Sequence, residues 1–144
     1  MATPALSLSI RGGGQAGLPV RATLRRWVLR AVERPAELTL AFLGTAEARR
    51  LNREFRGRDY ATNVLTFTFH SRPQVVADIV LCTPVVRREA RARGLSLRAH
   101  LAHLVIHGVL HAHGYDHERA ADAARMQRRE VELLGTLRIR DPYR

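Results

Sequence analysis

Five of the seven histidines fall between His100 and His113, and His117 follows just past a glycine. The run His107–His117 reads HGVLHAHGYDH. His107 and His111 are four residues apart, so on a helix both imidazoles project from one face, the helical way to offer two ligands to one metal ion. Gly114 lets the chain turn sharply, and His117 can then swing back as a third ligand. Three nitrogens with an open fourth position describe a catalytic zinc site, since structural sites normally close all four. An ion held that way can polarise a phosphoryl oxygen or lower the pKa of a bound water toward ~7.

Other histidine sets fit less well. His103, His107 and His111 form an i, i+4, i+8 series whose outer members lie about 12 Å apart along a straight helix. Zinc–nitrogen bonds of ~2.0–2.1 Å cannot span that. His113 points roughly 160° away from the expected approach of His117, counting about 100° per residue. A histidine-rich core helix without metal would explain an isolated pair, but it does not account for a third histidine beyond a glycine turn. The spacing H-x3-H-x5-H is also that of the metzincin proteases, HExxHxxGxxH. There the glutamate after the first histidine is the general base. Here that position is Gly108, so the metal geometry is kept and the peptidase base is missing.

The elements that must carry these residues are legible from periodicity and punctuation. Ala5–Ile10 alternates apolar residues with serine and reads as a strand. A glycine-rich turn over Arg11–Gly17 leads to a helix, Val20–Arg34, whose apolar face is Val20, Leu24, Trp27, Val28 and Ala31; Pro35 stops it. Glu37–Leu43 is a second strand, and Thr45–Phe55 a helix with Thr45 as N-cap, ending near Gly57. Thr62–Phe69 and Val75–Cys82 are strands joined by a turn through Ser71–Pro73. Thr83 as N-cap and Pro84 at the first helical position begin a helix running to about Arg93. Ser96 caps the helix Leu97–His113, with Gly114 as its C′ residue. Arg119–Leu134 is the last helix, with Met126, Val131 and Leu134 as core candidates. This order predicts an α+β domain: a small mixed sheet of about four strands packed with about five helices, with the three-histidine site on a C-terminal helix and the turn after it.

The chain has 144 residues, 46% hydrophobic and 26% charged, which is ordinary globular composition and enough for one domain spanning 1–144. No stretch offers the ~20 consecutive apolar residues a membrane span needs. The opening MATPALSLSIRGGG has no basic region before its short apolar run and does not read as a signal peptide. The one cysteine, Cys82, allows no internal disulfide, which points to a reducing, cytoplasmic compartment. All 24 basic residues are arginine, and the net charge is +11. Arginine in place of lysine, with abundant alanine, is what a GC-rich genome produces. The size of the charge is a separate matter: it predicts attraction to a polyanion, nucleic acid being the commonest.

With these residues in view, the chain resembles the YbeY family of bacterial endoribonucleases, also called rRNA maturation factors. The family signature HGxLHLxGYDH is met by His107–His117 except for Ala112, where leucine is usual. Upstream, Asn52, Arg53, Phe55, Arg56, Gly57, Asp59 and Thr62-Asn63-Val64-Leu65-Thr66-Phe67 resemble its "N-x3-R-x-x-D…TNVLSF" block. Ala77-Asp78-Ile79-Val80-Leu81-Cys82 resembles its GDIVI strand with alanine for glycine. Met126 and Glu130 fit the "M…E" of its last helix, and Pro142-Tyr143 fits its usual ending. The likeness covers about residues 38–143, while the N-terminal strand and helix match in kind only.

The resemblance implies a zinc-dependent, single-strand-specific endoribonuclease with one Zn2+ on His107, His111 and His117. It would act in ribosomal RNA processing, especially 3′-end maturation of small-subunit rRNA, and in ribosome quality control. The implied partners are rRNA precursor, the small ribosomal subunit and assembly factors, with no DNA and no membrane. Arg56 matches the family's arginine near the metal cleft, where its fixed fork suits a phosphoryl transition state; the lesser alternative is a solvated helix-end arginine. Asp116 either orients a ligand histidine or caps the final helix, and Glu118 is a base candidate by proximity only. The competing class is a non-catalytic RNA-binding ribosome assembly factor whose metal serves the fold.

Overall fold

The computed structural model describes residues 3–144, so Met1 and Ala2, where the reading of the leader begins, lie outside the described residues. Nine elements follow in order: β1 (Leu6–Arg11), α1 (Arg21–Ala31), β2 (Ala36–Leu43), α2 (Thr45–Arg56), β3 (Val64–His70), β4 (Val75–Cys82), α3 (Thr83–Ala92), α4 (Leu97–Ala112) and α5 (Ala120–Thr136). The four strands form one sheet in the order β1-β2-β4-β3. β1, β2 and β4 run parallel, and β3 pairs antiparallel with β4 at the edge. The predicted α+β architecture with a mixed sheet is the one observed.

Alternation in the strands divides the apolar side chains between two faces. Val75, Ala77, Ile79 and Leu81 of β4 join the main core with Leu38 and Leu40 of β2, α1 and α4. Val80, Ala41 and Leu65 point the other way into a smaller cluster that Leu51 of α2 and Phe67 complete. Helix α4 lies in the middle of the main core, and eleven of its sixteen residues are buried. A helix apolar on nearly all sides is one enclosed on nearly all sides, here by the sheet and by α1, α3 and α5. Ser96 starts it, its Oγ accepting from the amide of Ala99 at 3.0 Å. Gly108 lets it approach the sheet: a Cβ there would lie 2.7 Å from Cγ2 of Ile79 and 3.4 Å from Oγ1 of Thr66.

Several boundaries depart from the sequence reading. The helix expected from Val20 begins at Arg21 and ends at Ala31, and Val20 is its 70% exposed N-cap rather than a core residue. Gly44, not Thr45, is the N-cap of α2, because Thr45 already has helical geometry and the carbonyl of Gly44 accepts the first bond, from the amide of Ala48 at 3.1 Å. Likewise Cys82, not Thr83, caps α3, since β4 runs into the helix with no loop between. Cys82 is buried and unpaired. Among the described residues, no helix is long and apolar enough to cross a membrane.

Candidate metal centre

α4 ends at a turn that brings His117 back. His113 caps the helix, Gly114 takes φ +102°, and the amide of Tyr115 returns to the carbonyl of Leu110 at 3.2 Å. A positive φ at this point is the usual helix-ending device and favours glycine. The turn is also held from outside. Arg34 donates to the carbonyl of His113 at 2.9 Å, and the hydroxyl of Tyr115 donates to Glu33 at 2.8 Å. Beyond it, Oδ1 of Asp116 accepts the amides of His117 (2.7 Å) and Glu118 (3.2 Å). Asp116 therefore shapes the loop that presents His117. It does not cap α5, whose N-cap is Arg119. Those two amide bonds hold its carboxyl below the ordinary value.

His107, His111 and His117 meet as a triangle of rings. Centroid separations are 5.6 Å for His107–His117, 5.7 Å for His111–His117 and 6.4 Å for His107–His111. Three imidazoles sharing a tetrahedral ion at ~2.1 Å bonds would have centroids about 5 Å apart. The triangle is thus slightly open, and among the described residues no three His, Cys, Asp or Glu side chains stand close enough to hold a metal ion as they are placed. Closing it to that spacing requires about an ångström on the widest edge, His107–His111.

The donor chemistry fits a divalent ion. Nδ1 of His107 lies 2.7 Å from Oε2 of Glu130. Glu130 is fully buried; burial pushes its carboxyl up, but hydrogen bonds from His103, His107 and Tyr143 outweigh this and hold it at about 2. The ionised carboxylate only accepts, so Nδ1 of His107 carries the proton and Nε2 keeps its lone pair for the cleft. On His111 the buried nitrogen is Nδ1, which has no partner, and Nε2 is left for the cleft side. Burial, and then the neighbouring His107, His117 and Arg56, depress the pKa of His111 against a smaller opposing effect of Asp116, so its neutral, ligating form is favoured. His117 is exposed on the open side.

The other α4 histidines are occupied. Nδ1 of His113 contacts the carbonyl of Val109 at 2.8 Å while its Nε2 accepts the amide of Glu33 at 3.1 Å, and burial lowers its pKa. This is a neutral structural histidine, turned away from the cluster as its position predicts. His103 bonds Oε1 of Glu130 at 2.7 Å, and His100 bonds Glu89 at 2.9 Å.

The triangle opens onto a cavity of about 570 Å³ lined also by Arg56, Arg58, Tyr60 and Glu118. Arg56 is the last residue of α2, and Gly57 ends the helix in the left-handed region (φ +70°). The Arg56 guanidinium donates through Nη2 to the carbonyl of Thr66 at 2.9 Å and lies 5.9 Å from the ring centroid of Phe67. That bond takes one hydrogen of Nη2, and among the described residues the remaining N–H groups of the guanidinium have no hydrogen-bond partner. The loop after Gly57 is fixed by buried Asn52, which donates to the carbonyl of Tyr60 at 2.8 Å, and by the two-pronged Arg49–Asp59 pair at 2.8 and 2.9 Å. All four residues expected at the site, Arg56 and the three histidines, thus face one cleft. The residue the sequence reading passed over is Glu130, noted there only as part of a motif. An acid at an otherwise core-facing position of α5 was its signal.

A family model described as Endoribonuclease YbeY matches residues 20–138. The match therefore includes α1, further toward the N-terminus than the motif blocks alone reach. Among curated proteins, the chain is 52% identical to an Endoribonuclease YbeY of Methylibium petroleiphilum, covering 99% of this chain and 97% of that one. It is 50% identical to one of Verminephrobacter eiseniae, covering 85% and 80%. Among solved structures, the solution structure of TM1509 from Thermotoga maritima matches with a TM-score of 0.60 at 27% identity, over 92% of this chain and 91% of that one.

Proposed function

The chain belongs to the Endoribonuclease YbeY family, and from that premise we propose that residues 1–144 act as one domain, a zinc-dependent endoribonuclease cutting single-stranded RNA. Its proposed setting is the cytoplasm, in processing of rRNA precursor, including the 3′ end of small-subunit rRNA, and in ribosome quality control, with the small ribosomal subunit and assembly factors as partners. The observation that carries this reading is the meeting of the three histidine rings with Arg56 in one open cleft.

His107, His111 and His117 would hold a divalent ion, which would supply Lewis acidity toward a phosphoryl oxygen or water. The residues do the rest. Arg56, held by Thr66, offers its remaining N–H groups to non-bridging phosphate oxygens as negative charge accumulates there. Arg58 and Tyr60 line the same cavity, where an aromatic face can stack an unpaired base. The net charge of +11 favours a polyanion. A metal serving only the fold is disfavoured by the open side of the triangle, since structural zinc sites normally close all four positions. The test is cleavage of rRNA precursor by the purified chain. His107→Ala should abolish cutting, and equal cutting by this variant would overturn the assignment.

A further inference from the structure

The Pro142–Tyr143 segment and the buried Glu130 are not used by the reading above, yet they converge behind the metal centre. Glu130 spends both oxygens. Oε2 accepts from Nδ1 of His107 at 2.7 Å. Oε1 accepts from Nε2 of His103 at 2.7 Å and from the hydroxyl of Tyr143. Tyr143 is held for this. Its ring stands edge-on to His103, centroids 5.4 Å apart at 84°. Its amide donates to Asp141 at 2.8 Å, and the carbonyl of Pro142 accepts from Arg93 at 2.9 Å. The hydroxyl also lies 3.2 Å from Nε2 of His103.

We propose that Tyr143 is a positioning residue of the metal centre: its hydroxyl, acting through Glu130, fixes His107 as the Nδ1–H tautomer with Nε2 turned to the cleft. A glutamate carboxylate turns about its last torsion with little preference. Two donors on Oε1 remove that freedom and aim Oε2 at His107. Both are hydrogen bonds to an ionised acceptor, the strong kind; Glu130 itself is fully buried, and Tyr143, 47% exposed, reaches it from the surface. His103, excluded from the ligand set by its distance along the helix, acquires a role here as the second donor on Oε1. Loss of the Tyr143 hydroxyl leaves Oε1 one donor short and lets the carboxylate swing toward His103, which frees the His107 ring.

This rests on His107 being a ligand, and the experiment separates the two claims. Zinc affinity is measured by chelator competition at one fixed pH on the full chain, as wild type, His107→Ala, Glu130→Gln and Tyr143→Phe. Tyr143→Phe keeps the ring packed on His103 and removes only the hydroxyl. Removing a partner that orients a ligand costs roughly 10–100-fold in metal affinity. Glu130→Gln should fall in that range, and Tyr143→Phe, one bond further out, near its lower end. In the metal-free chain, ring 15N spectra should show His107 as Nδ1–H in wild type and as a mixture of tautomers in Tyr143→Phe. Wild-type affinity together with an unchanged tautomer in Tyr143→Phe overturns the proposal while leaving the site intact, provided His107→Ala still loses the metal. Unchanged affinity in His107→Ala overturns both. A loss of affinity in Tyr143→Phe matched by an equal loss of metal-free stability, with the tautomer unchanged, makes the residue structural and also overturns the proposal.

Discussion

Arg56→Ala separates catalysis from folding, and the structure sets its two magnitudes apart. On the stability side, the variant loses one hydrogen bond from Nη2 to the carbonyl of Thr66 and the contact with Phe67. An intramolecular hydrogen bond contributes about 0.5–1.5 kcal/mol net, and an exposed cation–aromatic contact about 0.5–1 kcal/mol. The melting temperature should therefore fall by roughly 3–8 °C for a chain of this size. That is more than a free surface arginine would cost, because this one is tied to the edge strand. On the catalytic side, removing one preorganised donor to the developing phosphoryl charge costs ~10²-fold or more. Zinc content should stay at one per chain, since Arg56 touches none of the three rings directly. Arg56→Lys should recover part of the rate, as a point charge replaces the fork. The assay is single-turnover cleavage of a single-stranded RNA, with elemental analysis and a melting curve on the same preparations. Cleavage at the wild-type rate by folded, metal-loaded Arg56→Ala would refute the role, and so would release of the zinc.

Three further outcomes follow from particular contacts. RNA affinity should fall steeply with salt: four or more phosphate contacts on a single strand give a slope of ~−3 in log K against log salt, and a flat titration between low and physiological salt would remove the polyanion reading. Gly108→Ala places a methyl group 2.7 Å from Cγ2 of the buried Ile79, so overpacking of roughly 1–3 kcal/mol should outweigh the ~1 kcal/mol gain in helix propensity, and a variant melting above wild type would show that the helix–sheet contact is not tight. Because burial depresses the pKa of His113 in the fold, the unfolded chain binds the extra proton first as pH drops below its ordinary value of ~6.5; stability should be level above that pH and decline below it, and His113→Gln should flatten the decline in urea midpoints of the metal-free chain, an unchanged slope counting against it.

Much of this was legible in the sequence because local rules and tertiary demands agree. β4 was bounded at Val75 and Cys82 by turn residues and β-branched composition, and it forms with those limits. Ser96 and Gly114 marked the ends of α4 because a hydroxyl cap and a left-handed turn residue are chemically specific. The misplaced caps at Thr45 and Thr83 have one cause. Threonine at a helix start satisfies the cap rule by type, but the chain leaves β2 and β4 so abruptly that the residue before it is already the cap. The Asp116 cap failed because its side chain is spent on the next two amides, a turn too short to show as a helix signal.

What periodicity could not reveal is the support behind the ligands, and the reason is physical. The meeting of three histidines within eleven residues is set by helix geometry and one turn, so spacing suffices to bring them together. Glu130 acts on His107 from another helix, 23 residues away, and Tyr143 reaches that carboxylate from a later turn. Nothing local distinguishes such an acid from a surface glutamate except that its neighbours Met126, Leu133 and Leu134 are core residues. A carboxylate placed among them must be paired or it destabilises the fold. Here the pairing groups are two α4 histidines and a tyrosine, and one of those histidines faces the cleft. The burial of α4 thus links stability to chemistry. An enclosed helix carries its cleft-facing histidines on a rigid support, and the cost of burying the acid that orients one of them, His107, is met by hydrogen bonds that also fix its tautomer.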